Sequence, residues 1–244
     1  MRTPLFLLSF LWIQWTLPFL NGGEPPLDIY LLIGQSNMAG RAAIESEDEA
    51  VLERVHLLND AGEWVPATNP LNRYSSARKR LDMQRLGPGY TFARSMSEHD
   101  PDARIGLVVN ARGGTRIEQW APGSELYKDA IRRTREATAQ GEIKGILWHQ
   151  GEGNSRDPDY LEKLTSLIES LRADFDRPEL PFVAGQVEGD RPVNLQIAKL
   201  PEALPGTAWV SSAGLETYDG THFDSASQRE FGSRYAIEMI RLQE

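Results

Sequence analysis

Ser36 is the residue whose setting in this 244-residue chain first suggests chemistry. It follows the apolar run Ile29-Tyr30-Leu31-Leu32-Ile33 and sits inside Gly34-Gln35-Ser36-Asn37-Met38-Ala39-Gly40. A serine hydroxyl becomes a nucleophile when a base takes its proton, and near neutral pH that base is usually histidine. The chain has 4 histidines. His56 falls within a short strand pattern, and His99 lies in Glu98-His99-Asp100-Pro101 at a helix exit, which leaves His149 and His222. Asp219 precedes His222 by three residues in Asp219-Gly220-Thr221-His222, so one tight loop can bring the carboxylate to the imidazole and fix its tautomer. His149, at a strand end, is the rival base, with no acid three or four residues before it.

Acyl transfer also needs donors aimed at the oxygen on which negative charge develops. Three candidates stand just after apolar runs: the backbone N–H of Ser36, the backbone of Gly113-Gly114, and the side-chain amide of Gln150. Glycine lets a backbone approach a ligand closely. Each feature also has a plainer reading. Ser36 could cap a helix, Asp219-Gly220 could be a simple turn, and the glycines could end strands.

The elements that would carry these residues alternate. Apolar runs at 28–33, 104–109, 145–148, 182–187 and 208–210 read as strands, and 55–58 with 63–65 as a hairpin. Helical spacing appears over 90–96, at Tyr127, Ala130, Ile131, Thr134 and Ala137, at Leu161, Leu164, Ile168, Leu171 and Phe175, and at Phe231, Tyr235, Met239 and Leu242. Strands alternating with helices imply a three-layer α/β/α sandwich around a parallel sheet of about five strands. In such a sheet the carboxyl ends of the strands share one edge, which is where open α/β sheets bind ligands. The stretch 66–88, with its Arg78-Lys79-Arg80 cluster, reads as a long loop bordering that edge, its basic cluster a solvated face.

Bulk properties narrow the partners. A chain of this length with 40% hydrophobic residues supports one sizeable core, expected over residues 28–244. The net charge of −9 argues against nucleic acid or an anionic membrane surface as main partner. Residues 1–23 carry Arg2, an apolar stretch and Asn21-Gly22-Gly23, the order of a signal peptide, so a secreted or periplasmic protein is expected; an amino-terminal membrane anchor is the alternative. Residues 24–27 read as a linker. With no cysteine, disulfides, thiolate metal sites and a lipid-anchored amino terminus are excluded.

Four motifs in order, Gly34-Gln35-Ser36-Asn37-Met38, Gly113-Gly114-Thr115-x-Ile117-x-x-Trp120, Trp148-His149-Gln150-Gly151-Glu152 and Asp219-x-x-His222-Phe223, resemble those of the SGNH (GDSL-like) hydrolases. The nearer resemblance is to the branch holding sialate O-acetylesterases and the acetylxylan esterases of carbohydrate esterase family six. It runs from about Asp28 to the end and includes Gly87-Pro88-Gly89. It implies a flavodoxin-like fold and serine-dependent removal of acetyl groups from a sugar, without metal or cofactor. Ser36 would be the nucleophile, His222 the base and Asp219 its orienting acid. Gly113 or Gly114 would give an oxyanion N–H, and Gln150 stands where the wider superfamily has asparagine. Glu152 would brace its turn, with Gln35 and Asn37 supporting Ser36.

The chain departs from the pattern at Gly153-Asn154, where relatives often have an aspartate, and at Asn110-Ala111-Arg112, where they often have small residues. Arg112 would touch substrate or pair with surface carboxylates. Gly34-Gln35-Ser36-Asn37-Met38 lacks the last glycine of Gly-x-Ser-x-Gly and follows the first strand, which argues against the α/β-hydrolase fold. The alternatives are a non-catalytic carbohydrate-binding domain on the same fold and an esterase for non-sugar short-chain esters.

Overall fold

The computed structural model describes residues 25–244. The expected export segment over 1–23, and Glu24 of the linker, lie outside the described residues. The apolar run before Ser36 forms β1 (Leu27–Gly34), which starts inside the expected linker because Leu27 is already a buried strand residue. Its side chains alternate between two cores, as a two-residue period requires. Leu27, Ile29, Leu31 and Ile33 enter one, and Tyr30 and Leu32 the other. A strand buried on both faces reads as an unbroken apolar run for this reason.

In chain order there follow α1 (Ser36–Ala39), β2 (Val55–Leu58), β3 (Trp64–Pro66), α2 (Gly89–His99), β4 (Arg104–Val109), α3 (Glu125–Ala137) and β5 (Gly141–His149). Then come α4 (Tyr160–Asp174), β6 (Phe182–Gly185), α5 (Pro192–Ala198), α6 (Leu200–Ala203), β7 (Thr207–Val210) and α7 (Ser225–Gln243). The sheet order is β3-β2-β4-β1-β5-β6-β7, parallel except for the β2–β3 hairpin. It has seven strands where about five were expected. The difference is the hairpin, in which β2 extends the parallel sheet and β3 closes that edge.

Helices cover both faces. One core takes Tyr127, Ala130 and Ile131 of α3, Leu164, Leu167, Ile168 and Leu171 of α4, and Val193 and Ile197 of α5. The other takes Phe92, Ala93 and Met96 of α2 with Phe231, Tyr235 and Met239 of α7. Each such fully buried large apolar side chain is worth about 1.5–3 kcal/mol relative to exposure. Among the described residues no helix is long and apolar enough to cross a membrane.

The connection from β3 to α2 is more ordered than the loop expected there. It contains short 3-10 turns at Leu71–Tyr74 and Leu81–Met83 and buries Asn72, Ser75, Gln84 and Leu86. Asn72 ties it to the exit of β4: Nδ2 donates to the Ala111 carbonyl at 3.1 Å, and Oδ1 accepts from Ala111 N at 3.0 Å. It therefore does border the carboxyl edge of the sheet. β1 is central there, because successive strands run to either side of it, and such a reversal point is where α/β sheets open a crevice.

Candidate active site

β1 reaches the edge at Gly34, whose φ is +131° and which passes so close to β5 that an added Cβ would lie 2.2 Å from the His149 carbonyl oxygen. Only glycine fits that crossing. Gln35 N then donates to the same carbonyl at 2.8 Å, and the chain turns into α1 with Ser36 as its first residue, 6% exposed.

From the far side, the segment between β7 and α7 brings the acid and imidazole. Tyr218 N donates to the His222 carbonyl at 3.0 Å, closing a tight loop whose bend is Gly220 at φ +79°. Within it, Asp219 Oδ1 accepts from the backbone of Thr221 at 3.0 Å and of His222 at 2.8 Å. Its Oδ2 is left for His222 Nδ1 at 2.7 Å. His222 Nε2 then lies 3.0 Å from Ser36 Oγ. Partial burial alone would raise the Asp219 carboxyl, but these donors outweigh it and hold the group below its usual value. The exposed Tyr218 ring stacks on His222 at 5.9 Å between centroids.

Asn37 joins the two sides. It is fully buried, and all four of its bonding positions are used. Nδ2 donates to Glu152 Oε1 at 2.8 Å and to the Thr221 carbonyl at 3.1 Å, while Oδ1 accepts from Phe223 N at 3.1 Å and Gln228 Nε2 at 3.2 Å. Glu152 is a buried carboxylate. Burial pushes its pKa up, yet His149 beside it, its own turn's backbone and Asn37 more than offset this, leaving it below the usual value.

The rival histidine is elsewhere. His149 ends β5 with no exposed surface, edge-on to the Phe223 and Phe231 rings at 5.9 and 5.2 Å. Its Nε2 stands 3.5 Å from Glu152 Oε1, and its Nδ1 is 3.4 Å from the Tyr235 hydroxyl.

The three expected oxyanion donors fare differently. Gly113 lies against Ser36, since a Cβ added to it would stand 3.4 Å from Ser36 Cβ. Gly114, at φ +71°, is exposed and overhung by Lys79 Nζ, 3.1 Å from where its Cβ would be. Gln150 is wholly buried. Its Nε2 faces three acceptors: Gln35 Oε1 at 3.3 Å, the Thr115 carbonyl at 3.1 Å and Asn154 Oδ1 at 2.9 Å. The Gln150 amide joins the donor set only by releasing one of these bonds.

The remaining motif residues frame the site. Trp120 Nε1 donates to Thr115 Oγ1 at 3.0 Å, and the Trp120 and Trp148 rings meet edge to face at 5.6 Å. Asn154, one of the departures in the sequence, is a buried hub that accepts from Ile117 N at 2.9 Å as well as from Gln150. Among the described residues Arg112 has no carboxylate partner, and its Nη1 donates to the Ala77 carbonyl at 2.9 Å. The basic cluster divides: Arg80 pairs with Asp82 on the surface, Arg78 caps the Ser75 carbonyl, and Lys79 reaches the site.

Two residues at the site carried no motif signal. Tyr218 is one. The other is Arg41, whose Nη1 donates to the carbonyls of Gly40 at 2.6 Å and Met83 at 3.0 Å, and whose Nη2 lies over Gly113. Its distance of five residues from Ser36 was the one clue available.

A family model described as carbohydrate esterase, sialic acid-specific acetylesterase matches residues 26–241. A probable carbohydrate esterase of Arabidopsis thaliana is 30% identical over 239 residues, spanning 88% of this chain and 91% of that protein. The X-ray structure of that Arabidopsis protein superimposes with a TM-score of 0.80 at 29% identity, covering 89% of this chain and 99% of that one. The fold is shared with NanS, at a TM-score of 0.70 and 18% identity over 89% of this chain and 98% of that one. It is shared also with a carbohydrate acetylesterase from Xanthomonas citri, at 0.62 and 22% over 88% and 56%. The chain belongs to the carbohydrate esterase, sialic acid-specific acetylesterase family, and is thus a carboxylic ester hydrolase of α/β/α fold.

Proposed function

We propose that this chain removes O-acetyl groups from a carbohydrate through an acetyl-enzyme on Ser36. The observation that carries the reading is the unbroken line Ser36 Oγ, His222 Nε2, His222 Nδ1, Asp219 Oδ2, with steps of 3.0 and 2.7 Å. Ser36 Oγ attacks the acetyl carbonyl as His222 Nε2 takes its proton. Asp219 holds Nδ1–H and offsets the charge that the imidazolium gains. The carbonyl π pair moves onto oxygen and faces the backbone N–H groups of Ser36 and Gly113. Collapse breaks the bond to the sugar oxygen, which receives the proton from His222. Water then repeats the sequence against the acetyl-serine and releases acetate. Asn37, Glu152, Gln35 and Gln150 hold the two halves of the site in register.

Carbohydrate as substrate rests on family membership, as does the choice between acetylated sialic acid and acetylated xylan. A polar cleft lined by Arg116, Asn154, Arg156, Asp157, Lys163 and Arg191 lies beside the turn at Glu152, with Lys163 and Arg191 ion-paired to Asp157 and Glu188. Export is part of the same reading and rests on the composition of residues 1–23, with residues 28–244 forming the esterase domain. Acetate release from acetylated xylan and from O-acetylated sialic acid tests it. The wild type releases acetate from at least one, and Ser36→Ala from neither. Equal release by Ser36→Ala overturns the reading.

A further inference from the structure

Arg41 differs from the arginines that this acidic chain ties to carboxylates. Arg132, Arg229, Arg234 and Arg241 are held in ion pairs. The Arg41 guanidinium has no carboxylate partner among the described residues. One side of its fork is fixed, since Nη1 donates to the Gly40 and Met83 carbonyls. The other side is aimed at the site. A Cβ built on Gly113 would stand 2.6 Å from Arg41 Nη2 and 3.4 Å from Ser36 Cβ, so those two atoms are at most the sum of these, 6.0 Å, apart. The missing side chain at Gly113 is the space between them. No hydrogen bond to a protein acceptor engages Nη2 among the described residues, whereas Gln150 Nε2 is occupied by three.

The same wall carries the base. Tyr218 OH donates to the Arg41 carbonyl at 3.4 Å, and its ring stacks on His222. Burial draws the Arg41 guanidinium down from its ordinary value and the nearby Tyr218 acts against that, but a guanidinium stays charged throughout the working pH range. A fixed, half-buried cation with an open N–H is the kind of group that stabilises developing negative charge without reorganising.

We propose that Arg41 is a catalytic residue of this site, its Nη2 donating to the ester carbonyl oxygen as that oxygen becomes an anion. It rests on the hydrolytic reading above. When the Ser36 Oγ–carbon bond forms, the π pair moves onto the oxygen between Nη2 and the backbone N–H groups, and the serine proton goes to His222. When the pair returns, the bond to the alcohol breaks and His222 protonates the leaving oxygen. Arg41 exchanges no proton in either step.

The test uses para-nitrophenyl acetate, which is uncharged, beside O-acetylated sialic acid, which carries a carboxylate. Arg41→Ala should lower kcat on both by about a hundredfold, the scale of one lost donor, with KM moving by less than about threefold. Added methylguanidine should restore part of the turnover, a response that a loosened loop would not give. Gly113→Ala, which keeps its backbone N–H and needs no positive φ, should push Nη2 aside and lower kcat as well. If the wild type hydrolyses para-nitrophenyl acetate and Arg41→Ala matches it, the proposal is overturned while the esterase reading stands. If Arg41→Ala loses only affinity for the carboxylate-bearing substrate, Arg41 is a substrate anchor and the proposal is overturned. If the wild type hydrolyses neither ester, both readings fall together.

Discussion

Asn37 and Glu152, 115 positions apart, meet at 2.8 Å beneath the nucleophile, and this bond makes one body of the turn that carries Ser36 and the turn that follows β5. Asn37 also takes the Thr221 carbonyl, so the loop bearing His222 hangs from the same side chain. The 3.0 Å approach of Ser36 to His222 is thus set by a residue that transfers no proton.

Asn37→Ala should therefore cost both stability and rate. It removes one of the donors to the Glu152 carboxylate and leaves the Phe223 N–H without a partner, and an orphaned buried group costs about 1–3 kcal/mol. Urea unfolding should show a loss of about 2 kcal/mol or more, and kcat should fall even where the variant is fully folded. Unchanged unfolding midpoint and rate would show that the bond positions nothing.

Glu152 contributes to the acid limit of stability, together with Glu118 and Asp157, whose carboxyls, against burial, are held down to about 2 by Lys163 and neighbouring hydrogen bonds. The folded pKa of Glu152 lies below the ordinary 4.5, so its contribution is complete above that value and is lost as the pH falls through the lower folded one. Thermal melts from neutral pH into the acid range should hold their midpoint down to about pH 4.5 and then drop, with Asp219 adding to the slope from just below. Glu152→Gln should flatten that drop. An acid limb of equal steepness in Glu152→Gln would remove Glu152 as one of its causes.

The two histidines should separate cleanly. His222→Ala should lose about three orders of magnitude in kcat with little change in stability, and adding Ser36→Ala should cost little more, because triad members act as a unit. His149→Ala empties a buried site among Phe223, Phe231 and Tyr235 and should destabilise by about 3 kcal/mol, on the scale of large core truncations. Its folded fraction should keep most of its turnover. The reverse pattern would make His149 the base.

Gln150→Glu should be felt first as folding. The new carboxylate would face Gln35 Oε1, the Thr115 carbonyl and Asn154 Oδ1, three acceptors with no hydrogen to share. A lowered melting temperature together with a turnover loss of about a hundredfold is expected. A stable variant with turnover alone depressed would instead show that the Gln150 amide leaves its partners and joins the oxyanion.

How far the sequence reveals these features depends on how local their cause is. β1 and β4 are legible to within a residue or two, because a strand buried on both faces is a continuous apolar run. β5 begins four residues before the expected Gly145, since Glu142 is exposed and Lys144 half-exposed at its front while Ile143 is buried, which breaks that run. α5 and α6 are too short to show a period and open on Pro192 and next to Pro201. Asp219 and His222 are legible because one three-residue loop joins them. The surroundings of Gln150 and the fork of Arg41 are not, since Gln35, Thr115 and Met83 reach them only through the fold.

The central claim is that Ser36 carries the acyl group, and the most direct test is peptide mass spectrometry of protein treated with a serine-directed phosphonate. The account predicts a single adduct on the peptide containing Ser36, absent in Ser36→Ala and formed far more slowly in His222→Ala. An adduct on any other serine, or full labelling of His222→Ala at the wild-type rate, would contradict it.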